Sequence, residues 1–177
     1  MKMKAVETET YKGYEIKICI DEYPFSPRED DNLGTMACFH SRYNLGDKHD
    51  FETPHDCIQH SKEKDVISLP LYLYDHSGIT MKTTPFSCHW DSGQVGIISV
   101  SKKKVKEWYQ IEKVTKKVVK NVLEALESEV KVYDKYLRGE VFGFQIEKDN
   151  EEINSCWGFF EEEKDVMKLV KEEVDGY

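Results

Sequence analysis

The sequence holds no apolar run able to cross a bilayer. Its longest nearly uncharged stretch, Val66 to Asp91, is interrupted by Pro70, Asp75, His76, Lys82 and Pro85, whereas a spanning helix needs about 20 consecutive apolar residues. No membrane partner is therefore expected. The first residues, MKMKAVETETYKGYEIK, lack the apolar core of a secretion signal, which predicts an intracellular protein. Cysteine is sparse as well. The five thiols at 19, 38, 57, 88 and 156 are odd in number and scattered, and read as reduced cysteines rather than a disulfide framework. Missing too are CxxC, HExxH, GxGxxG, GxSxG and a phosphate-binding loop, the patterns that would signal a metal, a nucleotide or an activated nucleophile. No cofactor and no enzyme class is indicated. Positive charge is also short: 25 Lys and Arg face 34 Asp and Glu, for a net charge of −9. Nucleic-acid binding needs many cationic contacts to phosphate, so strong binding to free DNA is not expected.

What is present describes a folded chain. Hydrophobic residues make up 39% and aromatic residues 12% of the 177 positions, and a chain of that length buries on the order of 70% of its unfolded surface. No repeat and no linker interrupts it, so residues 1–177 read as a single α+β domain. Charge is distributed unevenly. Residues 1–65 carry −5, 66–100 carry −1, 101–138 carry +5 and 139–177 carry −8. The two acidic flanks are suited to drawing in a basic partner surface.

Local patterns fill in the elements. YKGYEIKICI (11–20) alternates as a half-buried strand, DEYPFSPREDDNLG is a loop and TMACFH a short strand. Thr53 and Pro54 open a short helix. VISLPLYLYDHSG (66–78) reads as a strand that Pro70 confines to an edge or bulge, and QVGIISV (94–100) as a buried strand. Ser101 caps a helix KKKVKEWY. A longer helix runs from Thr115 to Arg138, with Val118, Val119, Val122, Leu126, Val130, Tyr133 and Leu137 on one stripe and Gly139 as its left-handed cap. A hairpin with Asp149-Asn150 at its tip follows, and Glu161 to Val174 closes as a helix. The expected architecture is a mixed or antiparallel sheet packed on the long central helix and the C-terminal helix.

Two groups of side chains could carry function. Asp75, His76, Cys88, His89 and Asp91 form the densest reactive set and could hold a divalent metal for hydrolysis. The competing reading makes Asp75, His76, Gly78, Asp91 and Gly93 a turn hub, with Asp side chains capping backbone N–H groups and the glycines supplying positive φ. The other group is charged: Glu29, Asp30 and Asp31, then Glu161, Glu162 and Glu163 at a helix start, and the basic run Lys102, Lys103 and Lys104 beside Trp108 and Tyr109. A small regulator that binds DNA through Lys102 to Lys120 would use that basic run.

Five strings occur in order: DNLGTM (31–36), YNLGD (43–47), LPLYLYDHSG (69–78), PFSCHWDSGQVG (85–96) and YDKYLRGEVFGF (133–144). Together they resemble a widespread family of small acidic proteins carried by bacteriophages and mobile elements, connected with type II-A anti-CRISPR activity. That resemblance implies a phage-encoded inhibitor of host defence. Its partner would be a CRISPR effector nuclease loaded with guide RNA, in the cytoplasm of the bacterial host, and it would block DNA engagement or cleavage. The alternative is a metal-dependent hydrolase or nuclease centred on Asp75, His76, Cys88, His89 and Asp91.

Overall fold

Eight strands and four helices alternate along the chain in the computed structural model, which describes residues 5–88 and 90–177. In order they are β1 (Ala5–Tyr11), β2 (Tyr14–Ile20), β3 (Thr35–Cys38), α1 (Pro54–His60), β4 (Val66–Asp75), β5 (Ile79–Lys82), β6 (Ser92–Ser101), α2 (Lys102–Tyr109), α3 (Lys116–Leu137), β7 (Phe142–Lys148), β8 (Glu151–Phe159) and α4 (Glu163–Val174). The α+β class expected from the sequence holds, and every strand pairing is antiparallel. The two helices do not share a sheet, however: the strands form two sheets of four, and each sheet has its own helix. Although the sequence shows no linker, the chain groups into two units, Met1–Ser26 with Arg138–Tyr177, and Pro27–Leu137.

In the discontinuous unit the sheet order is β1-β2-β7-β8. Lys12 (φ 49°) and Gly13 (φ 83°) make the tight turn that joins β1 to β2, a geometry whose twist matches that of a hairpin. The sequence reading misses β1 because AVETETY buries no side chain fully. The β7–β8 hairpin falls where Asp149-Asn150 places it, with φ of 53° and 66°. Ile16 and Ile18 alternate onto one face with Phe144 and Ile146, and the stripe Val166, Met167, Val170 and Val174 of α4 covers them. That helix starts at Glu163 with Glu162 as its N-cap, two residues later than the Glu161 start expected.

In the continuous unit the order is β3-β6-β4-β5. Val122, Leu126, Val130 and Tyr133 of α3 pack on Leu71, Leu73, Ile98 and Val100. The opposite face carries α1 over Ala37 and Ile97. Thr53 and Asp56 close a capping box at the start of α1, as Thr53 leads one to expect. Pro70 is accommodated because β5 pairs only with Tyr72–Asp75, so β4 around Pro70 has β6 alone as a neighbour, with a register shift at Leu71/Tyr72. Absence of an N–H therefore breaks no ladder on that side. β5 is an element that the sequence patterns above do not single out.

Candidate functional site

The acidic loop begins with one cation among carboxylates. Arg28 is the sole lysine or arginine between Lys17 and Arg42, and its side chain is only 5% exposed. Its guanidinium grips Asp47 with two bonds, Nε to Oδ1 at 2.9 Å and an Nη to Oδ2 at 2.6 Å. The other Nη donates to Glu129 at 2.9 Å and to the Asn32 side chain at 2.9 Å. Burial works against the charge, but the Asp47 and Glu129 bonds outweigh it and hold the arginine pKa above its ordinary value. The carboxylates carry further bonds: Asp47 accepts from the Met36 N–H at 2.8 Å, and Glu129 from Leu33 N–H at 2.8 Å and Gly34 N–H at 3.2 Å. Asn32 donates to the carbonyls of Pro27 and Asp30. A loop of 27–34 is thereby tied to β3 and α3 at several points.

This network gives the signature strings a structural meaning. Gly34 of DNLGTM sits so close to α3 and β6 that a Cβ would lie 2.5 Å from Leu126 and 2.7 Å from Ile98. Gly46 of YNLGD has φ 71° and donates its N–H to the Tyr133 hydroxyl at 2.9 Å. Asp134 accepts from the Thr80 hydroxyl at 2.6 Å and the Met81 N–H at 2.7 Å. Sequence reasoning passed over Arg28, Asp47, Glu129 and Asp134, and placed Tyr133 only on the apolar stripe of α3. The available signal was an isolated arginine in an acidic, proline-flanked loop.

What the clamp leaves outside is the acidic tip. Glu29, Asp30 and Asp31 are all exposed, and their side chains make no hydrogen bond or ion pair among the described residues. Three carboxylates thus project from a backbone fixed by buried contacts. Glu161 and Glu163 are exposed at the start of α4, with Glu163 in its first turn, where the helix dipole favours negative charge; Glu162 is the N-cap. The basic run is less available than its sequence suggests. Lys102 bonds the Lys64 carbonyl, and Lys104 bonds the Asn32 carbonyl at 2.8 Å while lying 5.9 Å from the Trp108 ring. Lys103 alone of the three is fully on the surface.

The turn cluster is assembled in pairs rather than as one centre. Asp75 takes an ion pair from Arg42 and lies 3.9 Å from His40 Nε2. Asp91 lies 3.3 Å from His76 Nδ1 and 3.9 Å from Cys88 Sγ. Backbone joins the two halves, with Asp75 N–H donating to the Asp91 carbonyl at 2.8 Å. Among the described residues no three His, Cys, Asp or Glu side chains are grouped as a metal would require; His89 lies outside the described residues. Gly78 has φ 148° and Ser77 φ 56°, but the Asp75 and Asp91 carboxylates take side-chain partners instead of the backbone N–H groups expected of turn caps. Gly93 does not fit the turn-hub role: it is an ordinary strand residue of β6 paired with Leu73. A cleft of about 370 Å³ opens beside the hub, bordered by His40, Arg42, Asp75 and Trp90.

Burial pushes the Cys38 thiol up to about 12, with Asp47 and Cys57 adding to the shift. Folding therefore keeps this proton while an unfolded thiol releases it from about pH 8.5. Stability should fall as pH rises from about 8.5 towards 12, with a slope of up to about 1.4 kcal/mol per pH unit from this group. Urea midpoints measured at pH 7, 9 and 10 should show a shallower alkaline decline in Cys38→Ala than in the starting protein; equal declines would contradict it.

Comparison of the chain with family models, with curated proteins and with solved structures gave no match.

Proposed function

We propose that this protein is a phage-encoded inhibitor of host defence that binds a guide-RNA-loaded type II CRISPR nuclease in the bacterial cytoplasm and blocks its engagement or cleavage of DNA. The observation that carries the reading is the Glu29–Asp31 tip: three carboxylates without internal partners, on a loop clamped by a buried arginine. Carboxylates held in this way lose little conformational freedom on meeting a basic surface. Nucleases of this class hold nucleic acid in a positively charged channel and read a flanking motif with arginines, so the tip can stand where phosphates would. The resemblance of the five sequence strings to phage-borne proteins supplies the target class.

Reversal of Glu29, Asp30 and Asp31 to lysine should leave folding stability within about 0.5 kcal/mol, because the exposed side chains form no hydrogen bond or ion pair among the described residues and Asn32 bonds only the Asp30 backbone. Affinity for the guide-loaded nuclease should drop by at least about tenfold, since like charges then face each other. Wild-type affinity should also weaken as salt screens the contact. Biolayer interferometry with a set of type II-A nucleases, paired with cleavage of a matched target, reads both. Undiminished binding by the triple variant would sink the tip as the contact. Unchanged cleavage by every nuclease at several-fold excess of wild-type protein would remove the function itself.

A further inference from the structure

On the α1 face of the β3-β6-β4-β5 sheet, the side chains of β6 alternate in an unusual way. Ile97 is covered by α1, but the next residue on that face is Ser99, followed by Ser101. Ser99 is 8% exposed. Its hydroxyl has no hydrogen-bond partner among the described residues, and it lines a cleft of about 530 Å³. Its neighbours across the sheet are Thr35 on β3 and Ser68 on β4, so three adjacent strands each place a hydroxyl on this face. Ser99 is largely buried, yet its hydroxyl is not sealed in and faces the cleft. The Ser68 hydroxyl donates to the Ser61 carbonyl at 3.3 Å, whereas Ser99 and Thr35 border the cleft; hydroxyls opening into a cavity of ligand size are how small polar molecules are held.

The rim supplies charge and an aromatic wall. Lys48 has no ion-pair partner among the described residues, and Lys104 reaches the rim from the first turn of α2 while anchored on the Asn32 carbonyl. Asp50 contributes one opposing carboxylate. Phe51 lies against His60 at 5.2 Å and His49 at 5.7 Å between ring centres. Hydroxyl donors on the floor and an ammonium at the lip match the oxygens of a phosphate group, and the aromatic side offers a flat surface to an attached ring.

We propose that this cleft is a binding site for a small phosphomonoester, with the phosphate on Ser99 and Lys48 and an attached ring, as in a nucleoside monophosphate, against Phe51. This site is separate from the acidic tip and does not depend on the function proposed above.

Isothermal titration with the four ribonucleoside monophosphates tests it, with adenosine as the probe lacking phosphate. At least one monophosphate should bind, and adenosine at least about tenfold more weakly. Lys48→Glu and Ser99→Ala should each weaken that binding by about tenfold or more. Ser99→Ala also reports on the floor directly: without ligand its melting temperature should match that of the starting protein, because the hydroxyl reaches the cleft and bonds nothing within the fold. No monophosphate binding up to about 10 mM, where affinity would correspond to less than about 3 kcal/mol, would overturn the proposal. Binding that both variants leave intact would overturn it equally.

Discussion

Replacing Arg28 with alanine is expected to destabilise the Pro27–Leu137 unit by about 3–5 kcal/mol, the range for breaking a buried ion pair by removing one partner. The reason is the charge left behind. Arg28 is 5% exposed and bonds Asp47 and Glu129, which are 19% and 16% exposed. Without the guanidinium, those carboxylates repel each other in a poorly solvated place while still holding the N–H groups of Met36, Leu33 and Gly34. Lysine should rescue little of the loss, because a single ammonium cannot reproduce the two-bond grip on Asp47 together with the branch to Glu129. Denaturant unfolding followed by circular dichroism gives the answer. A loss below about 1 kcal/mol would mean that water reaches the network freely. Because the same residue fixes the acidic tip, Arg28→Lys should also weaken nuclease binding although the tip carboxylates are unchanged.

The second large effect concerns two glycines of one string. In SGQVG, a Cβ on Gly96 would lie 1.9 Å from the Ala37 carbonyl oxygen and 2.9 Å from its carbon. Those atoms are backbone, so relief requires β3 to move away from β6, and β3 has only four residues pairing there. Gly96→Ala should destabilise by about 3 kcal/mol, the upper part of the overpacking range. Gly93→Ala is the matched control: nothing lies within 4 Å of its Cβ position and its φ is not positive, so a change within about 0.5 kcal/mol is expected. Thermal denaturation of the two variants side by side suffices. Equal losses would show that the string's glycines act through the unfolded chain instead.

How far the sequence could be read follows from which interactions are local. Thr53, Ser101, Gly139 and Asp149-Asn150 act on their own neighbours, and each cap or turn formed where it was expected. The α3 stripe was legible for the same reason: its periodicity is internal to one helix. Sheet membership was not legible. β2 pairs with β7 rather than with β3, its next strand, and no short-range pattern encodes that choice. The acidic tip was visible as charge, yet its rigidity depends on Glu129, a partner 101 residues from Arg28. A hydrophilic glutamate on an amphipathic helix looks like any solvated position until the loop is seen lying on it. Lys102 and Lys104 misled in the opposite direction, since carbonyl partners on distant segments occupy their ammonium groups.

The discontinuous unit sets an order of events during synthesis. Its β1–β2 hairpin is made first, but β2 receives its other neighbour only when β7 emerges, after the whole of Pro27–Leu137. Ile16 and Ile18 must wait longer still, because the α4 residues that cover them come last. A ribosome delivering about 5–20 residues per second leaves that hairpin with a bare strand edge and an apolar face for several seconds or more. The continuous unit has every strand and helix it needs by Leu137 and is free to fold within that interval. Nascent chains halted when residue 137 has just cleared the ribosome should therefore resist protease across 27–137 while remaining cut in the first 26 residues. Glu7, Glu9 and Lys17 then serve as charges along a hairpin that, for that interval, must discourage pairing with the same hairpin on a neighbouring nascent chain.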